Sequence, residues 1–268
     1  MHLVQVDAFT THPFSGNPAA VAVVDSMPDD ATMQQIAREM NLSETAFVTP
    51  SGEDWALRWF TPTAEVELCG HATLASAHVL WTDQHASQTD DLTFETRSGS
   101  LHCRRIEDAI AVDFPAGITE PAEAPNGLLD AIGLSDAYEV HHDGSRWLVH
   151  VDDPDSVRFA RPMFSDILRI TRDKVMLTAA ATNDDPYDFV SRFFAPSVGV
   201  NEDPVTGSAH CTLGPYWSRV LGKDEVTGYQ CSARGGTVVV RPMGERVELR
   251  GNAVTVCHID IMASAVAS

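Results

Sequence analysis

The chain has 268 residues, 44% of them hydrophobic and 21% charged, which is an ordinary globular balance with enough apolar material for one large core or two modest ones. A formal net charge of -20, with only two lysines (Lys174 and Lys223), argues against a nucleic-acid partner, because phosphate binding draws most of its affinity from clustered Lys and Arg. The acidic residues are scattered, as in Asp29-Asp30, Asp90-Asp91 and Asp152-Asp153, and read as a solvated surface rather than an acidic tail.

The chain enters at once into alternating strand-like residues, without a basic, apolar leader or any run of ~18 apolar residues. A cytoplasmic protein without membrane contact is therefore expected. Period-2 segments at 3–8, 19–24, 101–106, 147–151 and 237–240 read as strands. An amphipathic helix is expected over 30–40, capped by Asp29 or Asp30, with Met33, Ile36, Ala37 and Met40 on one face. Two further helices, 72–81 and 209–221, are apolar enough to sit at the centre of a lobe. Five widely spaced cysteines without a C-x-x-C pair (Cys69, Cys103, Cys211, Cys231, Cys257) suit reduced thiols.

Comparison of the two halves supplies the organising signal. Arg58-Trp59-Phe60-Thr61-Pro62 matches Arg192-Phe193-Phe194-Ala195-Pro196 at an offset of 134, Gly70-His71-Ala72 matches Gly207-Ser208-Ala209 at 137, and Gly99 and Arg105 match Gly235 and Arg241 at 136. Three weak matches in one order at nearly one offset indicate a two-fold duplication. The expected fold class is α+β, two similar lobes, each a curved sheet or barrel around a central helix. The expected boundaries are 1–118 and 119–257, with 258–268 packing back on the first lobe; Pro115, Gly117, Pro121 and Pro125 mark the junction.

In each copy a strand-like segment leads through a polar loop to glycine and then into the apolar helix. Glycine permits close approach of a ligand, and the free N–H groups and dipole of the first turn attract an anion. Gly70-His71 and Gly207-Ser208 are therefore candidates for holding a substrate carboxylate in a cleft between the copies, although alone Ser208 reads equally well as a helix cap and Gly70 as a turn residue. The preceding loops carry Glu65, Glu67 and Cys69 in one copy and Glu202 and Asp203 in the other. Glu44, between the first helix and a strand, becomes a proton shuttle if confined and desolvated; by itself it reads as a loop acid.

Gly16-Asn17-Pro18-Ala19-Ala20-Val21, Asn41-Leu42-Ser43-Glu44-Thr45-Ala46-Phe47, the run from Phe60-Thr61-Pro62 to Glu67-Leu68-Cys69-Gly70-His71-Ala72-Thr73-Leu74, and Glu202-Asp203-Pro204-Val205-Thr206-Gly207-Ser208-Ala209 resemble the phenazine-biosynthesis PhzF-like isomerases. The resemblance spans the chain and implies a diaminopimelate epimerase-like fold, usually a homodimer, with the site between the lobes. It places Glu44 as the catalytic glutamate that moves a proton between carbons of a small carboxylate such as a dihydro-3-hydroxyanthranilate, with His71, Asp203 and Ser208 completing the site. It implies no cofactor and no metal.

Other chemistries fit less well. The related racemases use two opposed cysteines; here Cys69 occupies the first place and Asp203 is expected in the second, so Cys69 reads as a buried structural residue. A Ser208-His71-Asp203 hydrolase lacks the G-x-S-x-G elbow. A metal enzyme is disfavoured because His141-His142 is adjacent and no H-E-x-x-H occurs, and His210-Cys211 reads as a packed helix face. A metabolite-binding protein without turnover is the alternative from another class. The walls that select the substrate stay unassigned; 9–17 reads as a rim loop, and Tyr216 and Trp217 read as core.

Overall fold

The computed structural model describes residues 1–262 and resolves two compact units, one made of Met1–Phe114 together with 248–262, the other of Pro115–Val247. In the first unit His2–Ala8, Asn17–Val23, Glu44–Ser51, Asp54–Phe60, Leu92–Thr96, Gly99–Ile106 and Ala109–Pro115 pair in that order, antiparallel, parallel, antiparallel, parallel, antiparallel and antiparallel. The two parallel steps need long crossovers, and helices Asp30–Met40 and Gly70–Thr82 supply them.

The second unit repeats the scheme. Glu139–His142, Arg146–His150, Lys174–Ala180, Phe189–Ala195, Val226–Gln230 and Gly236–Met243 pair antiparallel, parallel, antiparallel, parallel and antiparallel. Its crossovers are the short helices Pro154–Arg158 and Phe164–Ile170, then the helix Gly207–Leu221. The duplication is thus a duplication of pairing order as well as of sequence.

Each unit wraps its sheet around one helix. Gly70–Thr82 packs on strands His2–Ala8, Asn17–Val23, Glu44–Ser51 and Ala253–Asp260 and is buried on every side, as its lack of a polar face dictates. Gly207–Leu221 packs on Val226–Gln230 and Gly236–Met243. There Gly214 is required, since a Cβ would stand 2.2 Å from Val240 Cγ1. Trp217 is fully buried, stacks on Phe189 and donates from Nε1 to Thr178 Oγ1 at 2.9 Å, and the Tyr216 hydroxyl donates to Glu139. Both belong to the core of the second unit.

Helix Asp30–Met40 follows its sequence pattern. Asp29 accepts from the Thr32 N–H, Asn41 closes the other end in the left-handed region, and Met33, Ile36 and Ala37 pack with Leu3, Ala22, Phe47 and Phe60. The two central helices begin two residues before the expected 72 and 209, because Gly70 and Gly207 are already helical.

The chain leaves the second unit earlier than the expected boundary at 257. Strand Ala253–Asp260 lies antiparallel to His2–Ala8 along its whole length, from His2↔Asp260 to Ala8↔Ala253. The Met1 amine and Ile261 N–H continue the ladder beyond it. Those backbone bonds place 253–257 with the first unit, to which 248–252 belong as well. The expected terminal segment 258–268 is described only to residue 262; 263–268 lie outside the described residues. Among the described residues no helix is long and apolar enough to cross a membrane.

Candidate active site

In the first unit, parallel pairing of Asn17–Val23 with Glu44–Ser51 sets Glu44 at the start of its strand, and the next strand ends at Phe60 opposite Thr45. The following loop is held by Arg58, whose Nε and Nη2 donate to the two carboxylate oxygens of Glu65 at 2.8 and 2.7 Å; Arg97 reaches the same carboxylate at 2.6 Å. Glu65 is therefore committed to the loop's shape, and Glu67 is exposed. The loop ends at Cys69, an extended residue that caps the central helix without a side-chain hydrogen bond.

The helix start carries His71 to Glu44. Imidazole Nε2 lies 3.0 Å from Glu44 Oε2, with the side chains 6% and 17% exposed, and Nδ1 lies 3.5 Å from Cys69 Sγ. Neither Nε2 nor Oε2 has a hydrogen-bond partner among the described residues, so their contact is one of charge. Burial opposes the imidazolium, but the Cys69 sulfur and the Glu44 carboxylate more than reverse that, holding the His71 pKa well above the ordinary histidine range. Burial, with the Glu44 charge added, pushes the Cys69 thiol up to about 11. At neutral pH Cys69 is a thiol, which leaves Glu44 as the group that keeps His71 protonated.

Glu44, Cys69 and His71 each offer one donor atom within 4.8 Å of the others, a spacing a metal ion could use. The imidazole turns one nitrogen to the carboxylate and the other to the thiol, and an ion bound there would displace a proton from Cys69.

In the second unit Asp203 ends strand Val200–Asp203, opposite Phe193. Arg192 holds Glu202 by the same fork that Arg58 makes to Glu65, at 2.7 and 2.8 Å, and each Arg also lies over a phenylalanine ring, Phe60 or Phe194. The Thr206 hydroxyl donates to Asp203 Oδ2 instead of capping the helix. Gln230, fully buried, accepts from Thr206 N–H at 2.9 Å and donates to Asp203 O at 2.7 Å and Thr206 Oγ1 at 3.2 Å. Arg146, anchored on buried Asp143, donates to Ser208 O at 2.6 Å. Asp203, Gly207 and Ser208 thus sit on one braced strand-to-helix junction. His210, one turn into the helix, is fully buried; its Nδ1 is 2.9 Å from Thr206 O, and burial pushes its pKa down to about 4, which marks a neutral core histidine.

The shared register corrects one expectation. Val66 lies opposite Trp59 and Asp203 opposite Phe193, so Asp203 is the counterpart of Val66. The counterpart of Cys69 is Thr206, each standing one residue before its helix. Glu44, which precedes Thr45 opposite Phe60, corresponds to Lys174, which precedes Val175 opposite Phe194. Thr206 and Gln230 escaped the sequence reading. A symmetric alignment of the helix starts points to Thr206, but Gln230 lies 24 residues from Thr206 on another strand and has no local signal.

These units and this pairing order define an epimerase-type fold. A hydroxyproline epimerase from Agrobacterium vitis superposes on the chain with a TM-score of 0.58 at 13% identity, covering 97% of this chain and 91% of that one, a likeness of fold alone. Residues 6–259 match the family described as phenazine biosynthesis-like protein, and the chain belongs to that PhzC-PhzF family. It is 46% identical over 258 residues to an uncharacterized isomerase of Halalkalibacterium halodurans, covering 96% of this chain and 97% of the relative. The crystal structure of a PhzF-family protein from Enterococcus faecalis superposes with a TM-score of 0.90 at 39% identity, covering 96% of this chain and 97% of that one.

Proposed function

We propose that the chain is a metal- and cofactor-independent isomerase that moves a proton between carbons of a small carboxylate-bearing substrate. The observation that carries this reading is the buried contact of Glu44 Oε2 with His71 Nε2 at 3.0 Å, and the isomerase name of a close relative agrees with it. Glu44 takes a proton from a substrate carbon: the C–H bond breaks, an O–H bond forms on the carboxylate, and the electron pair passes into the conjugated system of the substrate. The carboxyl proton exchanges with solvent while it is held, and the same carboxyl group then delivers a proton to another carbon, so substrate and product are isomers and no electron acceptor is needed. Protonated His71 orients the carboxylate and offsets charge as it develops. The N–H groups at Gly70-His71 are assigned to a substrate carboxylate; in the second unit, taken by itself, the Gly207-Ser208 helix start beside Asp203 offers an anion site of the same kind.

A two-thiol racemase is disfavoured, because the counterpart of Cys69 is Thr206 and the Cys69 thiol is pushed up to about 11. The test is incubation of the chain in D2O with a panel of unsaturated cyclic carboxylates and amino acids, with and without a chelator. Deuterium uptake at carbon that survives chelation is expected for at least one unsaturated carboxylate. Uptake that requires a metal, or binding without uptake across the panel, contradicts the reading.

A further inference from the structure

The first unit carries a second convergence of ligand-type side chains, on its surface, to which the reaction above gives no role. Pairing of His2–Ala8 with Ala253–Asp260 sets His2 opposite Asp260 and Val4 opposite His258, so His258 and Asp260, two apart, share one face beside His2. His2 Nδ1 lies 2.9 Å from Asp260 Oδ1, and His2 Nε2 lies 3.1 Å from His258 Nδ1, with the two rings stacked 5.2 Å apart. Asp83, at the C-terminal cap of helix Gly70–Thr82, completes the group. One donor atom from each of His2, Asp83 and His258 lies within 4.8 Å of the other two, and all three residues are exposed to entering ions.

Each contact has a chemical consequence. The Asp260 carboxylate accepts only, so it fixes a proton on His2 Nδ1 and leaves the Nε2 lone pair facing His258. His258 offers its Nδ1 lone pair when its own proton sits on Nε2. Nitrogens 3.1 Å apart, each about 2.05 Å from a common ion, subtend an angle of about 98°, between the octahedral and tetrahedral values. A carboxylate behind a ligating histidine is also the usual way such a ring is oriented.

We propose that His2, His258 and Asp83 form a surface binding site for a zinc-class divalent ion, with Asp260 orienting His2 from behind. Two imidazoles and one carboxylate select Zn2+, Co2+, Ni2+ or Cu2+ over Mg2+ and Ca2+, and water fills the remaining positions. The ion ties the first strand, the last described strand and the end of the central helix, and so stabilises the folded first unit by mass action.

Calorimetric titration of the full chain with zinc chloride in a non-coordinating buffer tests this. One ion per chain is expected, with a rise in Tm. His2→Gln and His258→Gln each abolish both effects, and Asp260→Asn weakens binding by about 10- to 100-fold. Cobalt loading is expected to give d–d bands without thiolate charge transfer, which separates this site from the Cys69 group. No uptake at millimolar zinc, uptake unchanged in both histidine variants, or uptake lost in Cys69→Ala overturns the proposal. His258 lies on the exposed face, so if His2→Gln fails to fold, His258→Gln alone still decides.

Discussion

The chemistry of the first unit turns on which neighbour sets the protonation of His71. Burial alone would deprotonate the ring, and the Cys69 sulfur and the Glu44 charge together reverse that. Glu44→Gln is then expected to lower the His71 titration, as followed by NMR of its ring nitrogens. An unchanged titration would mean that Glu44 does not hold the ring charged. The same shift has a consequence for stability. A histidine with a raised folded pKa contributes stability that is fully present below the unfolded value of about 6.5 and is lost as pH rises through the folded value. Wild-type Tm is therefore expected to fall relative to His71→Asn as pH is raised from 6.5 into the alkaline range; parallel Tm profiles would contradict the pairing. The candidate residues Glu44 and His71 were legible in the sequence through motif resemblance. Their 3.0 Å contact was not, because it joins a strand start and a helix start 27 positions apart.

At the scale of elements, the repeated unit is strand, clamp, loop and helix. Arg58 with Glu65 and Arg192 with Glu202 are the same forked, partly buried pair in both copies. Only the arginine of each pair stood out in the repeated R-aromatic-F-x-P segment; its glutamate partner follows at seven residues in one copy and ten in the other, an irregular spacing that hides the match. Replacing Arg192 leaves Glu202 desolvated and without its arginine, so Arg192→Met is expected to cost about 2–3 kcal/mol, reduced from the fully buried case by residual solvent access. The check is the Tm of the variant beside Glu202→Gln and the double variant. A double variant no less stable than Arg192→Met alone is predicted, and purely additive losses would contradict coupling. The expected equivalence of Cys69 and Asp203 failed at this same scale, since loops of unequal length made counting along the chain misleading and only strand register aligned the copies.

Over the whole molecule, the sequence offsets revealed the duplication because core segments Arg58–Pro62 and Arg192–Pro196 repeat side chains that face equivalent surroundings. They could not reveal where the second copy ends. Ala253–Asp260 belongs to the first unit through backbone bonds to His2–Ala8, and such bonds leave no mark in side-chain pattern. The His2–His258 contact was invisible for the same reason, the partners being 256 residues apart. The copies differ at the candidate site positions: Glu44 against Lys174, His71 against Ser208, Cys69 against Thr206, Val66 against Asp203. A fold repeated by duplication keeps its packing and varies its chemistry, and the buried Glu44–His71 couple of the first unit suits a one-base proton transfer.

The most direct measurement of that claim is C–H exchange with solvent deuterium by Glu44→Gln, on the substrate that wild type labels most rapidly. The variant keeps the shape of Glu44 and removes its basicity. With the fold verified by an unchanged circular dichroism spectrum, exchange is predicted to fall by at least about 100-fold. Exchange at the wild-type rate would show that another group moves the proton.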